Sequence, residues 1–172
     1  VGFGSMTGND PERLTTITLE ALRLSGRRGV LLSGWAGLAE GDLPDSVLRL
    51  DVVPHDWLFP RMAAVVHHGG VGTAHVGLRA GVPNVVVPFF GDQPFWGDRV
   101  YELGVGPRPI SQSELTAERL AAAIETATGD AMMRARAAEV GRRIQAERGV
   151  AEAVAIVSRY LAQRPGFFEG IE

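Results

Sequence analysis

Cysteine is absent from this chain. That excludes disulfides and thiolate-held metals, and it makes a cytosolic location the expectation. A surplus of positive charge is also missing. The formal net charge is −3, so the basic stripe that nucleic-acid binding requires is not expected. No apolar run is long enough to span a bilayer, and no signal peptide is expected from the opening residues. Internal repeats and low-complexity segments are lacking as well.

What remains is an ordinary globular composition. The 172 residues are 45% apolar and 22% charged, enough for one domain with a real core. Short apolar runs alternate with longer amphipathic stretches, which predicts a mostly parallel sheet with helices on both faces. The opening Val1-Gly2-Phe3-Gly4-Ser5 reads as a strand entering a glycine turn. Pro11 to Leu24 reads as a helix, Gly29 to Leu32 as a strand, and Val47 to Val53 contains another. Trp57 to Met62 is expected as a helical turn and Ala63 to His67 as a strand. A helix is expected from about Thr73 to Ala80, stopped by Gly81 and Pro83. The run Asn84 to Pro88 suits a strand covered on both faces. Phe95 to Leu103 is expected to be helical, as is most of Thr116 to Gln163, with breaks near Gly129-Asp130 and Gly149.

Residues 1–150 are read as one Rossmann-like domain and 151–172 as a terminal helix and tail. In the tail, Phe167 and Phe168 lie beyond the last helix with nothing obvious to cover them; docking on another domain and a frayed terminus both fit. The chain is expected to be part of a larger protein.

Open parallel sheets bind ligands at the carboxyl ends of their strands. Gly4-Ser5, Ser33-Gly34-Trp35, Pro54-His55-Asp56, His68 to Thr73 and Gly91-Asp92-Gln93 each follow an expected strand, so they should meet at one edge. Among them, His68-Gly69-Gly70-Val71-Gly72-Thr73 is the turn expected to hold phosphate. Glycines allow tight turns and close approach of a ligand, and the following helix offers unpaired N–H groups and a positive dipole end. Thr73 adds a hydroxyl donor or a helix cap. His67 and His68 are adjacent on a strand and should point oppositely. His68 is expected in the crevice and His67 packed and hydrogen-bonded. His75 could reach the site or pack the helix. A dinucleotide-binding turn is disfavoured, because His75 stands where the third glycine of that fingerprint belongs and Gly2-Phe3-Gly4 fails at the same position.

From Val53 to Gly97 the residues resemble a known family. Val53-Pro54-His55-Asp56-Trp57-Leu58-Phe59, His67 to Thr73, Arg79-Ala80-Gly81-Val82-Pro83 and Pro88-Phe89-Phe90-Gly91-Asp92-Gln93-Pro94-Phe95-Trp96-Gly97 are similar to the donor-site signature of UDP-dependent glycosyltransferases. The similarity is greatest to sterol 3-β-glucosyltransferases, then to glycopeptide-antibiotic and macrolide glycosyltransferases.

The resemblance implies an α/β fold: a Rossmann-like three-layer domain with a mostly parallel sheet, the carboxy-terminal half of a GT-B fold. It implies an inverting transfer without metal or cofactor. It places Ser5, His68, Gly70, Gly72 and Thr73 on the diphosphate, Trp35, Val53 and His55 near the nucleoside, and Asp92 and Gln93 on the sugar. A carboxylate can accept from two neighbouring hydroxyls, and an amide both donates and accepts. Asp92 could also cap the next helix, and Trp35 could equally be a buried aromatic.

Two positions depart from plant small-molecule members. Val71 replaces a tryptophan, and Val76 replaces the acidic residue that holds the ribose. The partners implied are a UDP-sugar, UDP-glucose first, and an amino-terminal acceptor domain that carries the base. A lipophilic acceptor such as a sterol would bring peripheral membrane contact. Trp57, Phe89, Phe90, Phe95 and Trp96 could line its path or pack the core. A non-catalytic nucleotide-sugar module and a nucleotide-sugar epimerase of the same fold are the alternatives.

Overall fold

The computed structural model describes residues 1–4, 10–32 and 43–163. In chain order the elements are α1 (Pro11–Leu24), β1 (Gly29–Leu32), β2 (Val47–Leu50), α2 (His55–Leu58), β3 (Val65–His67), α3 (Val71–Ala80), β4 (Asn84–Val86), α4 (Gln93–Glu102), α5 (Ala117–Gly129), α6 (Ala131–Ala146) and α7 (Gly149–Ala162). Short 3₁₀ turns occupy Phe59–Arg61 and Gln112–Glu114.

The strands β1 and β2 pair in parallel, and so do β3 and β4. The opening residues join the two pairs. Gly2 N–H donates to Val66 O at 3.0 Å, and Leu32 N–H donates to Val1 O at 2.9 Å. Gly2 bridges His67 in parallel, an isolated bridge where a strand is expected. The order is therefore β2, β1, residues 1–3, β3, β4. The chain progresses one way from the opening segment through β1 and β2, then the other way through β3 and β4. The reversal falls between residues 1–3 and β3, the switch point where open α/β sheets hold ligands.

Alternation along the strands distributes the core over both faces. Leu31, Val66, Val85 and Val87 pack with Phe3, α1 and α5 through Leu14, Leu22, Leu120 and Ile124. Val30, Leu32 and Val65 face the opposite way, toward Leu58, Phe59 and Val76. Val86 adds a third cluster with Val100, Val105 and Ala137 from the α4 to α6 region. Val85, Val86 and Val87 are all buried, as a strand covered on both faces should be. The result is the expected three-layer, Rossmann-like α/β arrangement.

Local chemistry fixes the helix ends. Asp10 accepts from Arg13 N–H at the start of α1, with Pro11 in the first turn. Asp130 accepts from Met132 and Met133 N–H, so the break at Gly129-Asp130 is a cap between α5 and α6. Gly81 ends α3 with φ +74°, a left-handed conformation suited to glycine. The helix α7 buries none of its residues: Val150, Val154, Ile156 and Val157 are all exposed.

Two element boundaries correct the sequence reading. The helix α3 begins at Val71 rather than Thr73, with Gly70 at the cap position and no side-chain cap bond. Thr73 therefore lies inside the first turn and does not cap it. The helix α4 begins at Gln93, two residues ahead of the expected Phe95. Among the described residues, no helix is long and apolar enough to cross a membrane.

Candidate functional site

The ends of residues 1–3 and β3 bring Gly4 and His68 together. A Cβ on Gly4 would lie 3.3 Å from His68 Cε1, and one on Gly70 would fall onto His68 Nε2. Both glycines thus clear the volume that the imidazole occupies. His68 is half-buried, and its Nδ1 is buried without a hydrogen-bond partner among the described residues. An unsatisfied buried nitrogen costs about 1–3 kcal/mol. Burial holds His68 below the ordinary histidine pKa, and the nearby Asp92 carboxylate works in the opposite direction.

His67 is fully enclosed, with 1% of its surface exposed. Its Nε2 faces Asn84 Oδ1 at 2.9 Å, and its Nδ1 accepts from Gly69 N–H at 3.0 Å. Burial lowers its pKa to about 4, so the ring is neutral near pH 7. The two adjacent histidines meet edge-on, with ring centroids 6.5 Å apart and planes at 89°. His67 is the enclosed one of the two and borders the cavity that Val53 and His55 also line, whereas the half-buried His68 is not among the residues that line it.

Gly69 adopts φ +90°, and a side chain there would meet Val86 Cγ1 at 2.7 Å. The turn therefore needs glycine twice over, for its backbone angle and for its space. At Gly72, by contrast, a Cβ would find no heavy atom within 4 Å. Gly72 and Thr73 lie in the first turn of α3, where backbone N–H groups lack intrahelical acceptors.

Asp92 and Gln93 divide their work. Asp92 is exposed at the start of α4; its side chain does not cap the helix but accepts from Trp96 Nε1–H at 2.9 Å. Gln93 is buried, and its Oε1 accepts from Phe89 N–H at 2.7 Å and Phe90 N–H at 3.1 Å. Gln93 thereby fixes the loop that precedes Asp92.

On the opposite side, Val53 is half-buried beside the cluster of Leu58, Phe59 and Val65. His55 stacks on Phe59 with centroids 4.6 Å apart. Burial lowers its pKa, countered by Asp56. Val53, His55, Gly4, His67 and Thr73 border one cavity of about 810 Å³. Ser5 and Ser33-Gly34-Trp35 lie outside the described residues. His75 is exposed on α3, so it does not pack the helix. Phe89 packs against Phe3 at 5.7 Å, whereas Trp57, Phe90 and Phe95 are exposed. No cluster of three or more metal-ligating side chains occurs among the described residues.

The sequence reading missed Asn84 and Trp96 as partners of site residues. Asn84 carried a signal, since a polar residue opening an otherwise apolar buried strand must find a hydrogen bond.

Comparison with known proteins places this geometry in context. Residues 33–159 match the model of the erythromycin biosynthesis protein CIII-like C-terminal domain. Sterol 3-beta-glucosyltransferase UGT80A2 of Arabidopsis thaliana is 47% identical over 162 residues, covering 94% of this chain and 25% of that protein. The sterol 3-beta-glucosyltransferase of Emericella nidulans is 41% identical over 169 residues, covering 94% of this chain and 12% of that protein. The chain thus spans a quarter or less of these curated relatives. Among solved structures, the kitacinnamycin glycotransferase superposes with a TM-score of 0.78 at 31% identity, covering 91% of this chain and 41% of the other. The calicheamicin glycosyltransferase CalG4 gives 0.79 at 25% identity, covering 95% of this chain and 43% of the other. The fold is that of the GT-B glycosyltransferases.

Proposed function

Because the chain belongs to the erythromycin biosynthesis protein CIII-like C-terminal domain family, we propose that it is the donor-binding half of an inverting glycosyltransferase. The observation that carries this reading is His68: a half-buried imidazole with an unsatisfied nitrogen, set at the switch point beside a helix N-terminus. That arrangement suits a diphosphate. Relatives named sterol 3-beta-glucosyltransferases make glucose the sugar of choice and a sterol-like hydroxyl the acceptor.

The chemistry follows from where charge develops. Breaking the bond between the sugar and the diphosphate leaves negative charge on the bridging oxygen. Fixed donors aimed at that oxygen lower the barrier, each by about 2.7–4 kcal/mol. His68, the α3 amides around Gly72 and Thr73, and Ser5 supply those donors. Asp92 and Gln93 hold the sugar, Gln93 through its amide nitrogen. Val53, His55 and Trp35 receive the nucleoside. The base that deprotonates the acceptor belongs to an amino-terminal domain. The uncovered apolar residues of α7 pack toward that domain; the tail with Phe167 and Phe168 lies outside the described residues. The exposed Phe90 and Phe95 flank Asp92 in sequence and suit a lipophilic acceptor.

Calorimetry on the chain with UDP, dTDP, UDP-glucose and NADH tests the reading. UDP and UDP-glucose are expected to bind, with no glucosyl transfer by the chain alone. Heat with NADH and none with either UDP compound would reverse it.

A further inference from the structure

The donor reading leaves one buried polar group unused. His67 borders the cavity from within the core with 1% of its surface exposed, and each of its ring nitrogens is hydrogen-bonded inside the protein. The protons in this chain of bonds can be assigned from one fact: a backbone N–H can only donate. Gly69 N–H donates to His67 Nδ1, so Nδ1 carries no proton and the ring proton sits on Nε2. That proton is donated to Asn84 Oδ1 at 2.9 Å. The amide is oriented in turn, because Asn84 Nδ2 donates to Val82 O at 2.8 Å. From Val82 to Gly69 each bond has one fixed donor and one fixed acceptor, and none can be reversed.

The same group also seats the helix. A Cβ on Gly77 of α3 would fall onto Asn84 Oδ1, so the helix rests on Asn84 at backbone distance. Asn84 therefore contacts the two features that face the ligand, the Gly69-Gly70 turn through His67 and α3 through Gly77. We propose that His67 and Asn84 are positioning residues: the Nε2–H tautomer imposed by Asn84 fixes the Gly69 amide, and with it the aim of His68 and of the α3 N-terminus. This rests on the donor-site reading, since what is aimed is a diphosphate site.

A second proton on His67 would set Nδ1–H against Gly69 N–H, two donors facing each other. Burial is the main force against that proton, the Asn84 bond works in the other direction, and His68 on the same turn and His55 on α2 oppose the proton when they are themselves charged. Asn84→Asp keeps the acceptor for Nε2–H but adds a negative charge that favours the imidazolium.

The test uses the full-length protein, UDP titrations, and nitrogen NMR of labelled histidine. The wild type is expected to show His67 as the Nε2–H tautomer. His67→Phe should weaken UDP binding about fivefold, and His67→Gln, which retains an acceptor and a donor, should recover most of the loss. Asn84→Asp should bind UDP progressively more weakly from about pH 8 to about pH 6, while the wild type does not. If His67→Phe fails to fold, Asn84→Asp and the NMR tautomer decide. UDP affinities equal to wild type in every variant and at every pH, or an Nδ1–H tautomer, would overturn the proposal while leaving the donor site standing. A wild type that does not bind UDP would overturn the donor reading itself.

Discussion

Trp96 Nε1–H donates to Asp92 Oδ2 at 2.9 Å, from four residues further along the chain. A carboxylate at the exposed start of a helix would otherwise sample several rotamers; the indole selects one. The half-buried Trp96 thus connects a surface carboxylate to a packed ring. Trp96→Phe should lower UDP-glucose affinity about threefold and leave UDP affinity unchanged. Asp92→Ala should lower it further, again sparing UDP. Paired titrations with the two ligands check this, and parallel losses of both would mean that Asp92 only supports the fold.

His68→Ala should weaken UDP binding by at least about tenfold, more than any change at His67, because it removes a charge-assisted donor. The pH dependence has a definite sign. Burial lowers the His68 pKa in the free protein, and a bound diphosphate would raise it. Binding then takes up protons, so UDP affinity should increase as pH falls through the range where His68 titrates. Calorimetry in buffers of different ionisation enthalpy reads the proton uptake directly. Its persistence in His68→Ala would assign it elsewhere.

His67 has the opposite consequence, for stability. Its folded pKa of about 4 lies below the ordinary 6.5, so the unfolded chain binds the proton more readily. The neutral ring's contribution is complete above about pH 6.5. It is lost as pH falls through about 4, to the extent of about 3 kcal/mol. Denaturant titrations across that window should show the slope in the wild type, and His67→Gln should flatten it. An unchanged slope would locate the sensitive group elsewhere.

Two glycines of the same helix should respond differently to alanine. Gly77→Ala drives a methyl group into Asn84 and should cost about 1–3 kcal/mol despite the better helix propensity. Gly72→Ala meets no heavy atom within 4 Å, so its stability should hold or rise by about 0.5–1 kcal/mol. That open space is where the diphosphate is proposed to sit, so Gly72→Ala should nevertheless weaken UDP. Thermal melts with and without UDP separate the two effects, and a Gly72→Ala protein with undiminished UDP binding would move the ligand away from this turn.

Much of this was legible in sequence because the signals are local. Glycine and proline punctuation located β1, α1 and the end of α3, and the all-apolar run after Asn84 announced a doubly covered strand. The edge loops could be expected at one end of the sheet because parallel strands share a direction, and Gly4, Val53, His55 and Thr73 do border one cavity. Other features depend on distances that sequence spacing does not carry. That Gly4 and Gly70 make room for one imidazole required the pairing of residues 1–3 with β3. The start of α3 was misplaced because a threonine looks like a cap, whereas Gly70 takes that position without any side chain. Gln93 resembles a ligand reader by motif; in three dimensions its oxygen secures the loop before Asp92.

The opening segment has a mechanical consequence. Among the described residues, residues 1–3 join the β1–β2 pair to the β3–β4 pair, and their bonds run from Val1 and Gly2 to Leu32 and Val66. This junction is a seam that unites stretches distant along the chain, and closing it costs loop entropy. Gly4 and His68 stand on opposite sides of that seam, at its upper end. A ligand held between them would act as a rivet across it, and amide exchange in β1 and β3 should slow together when UDP binds.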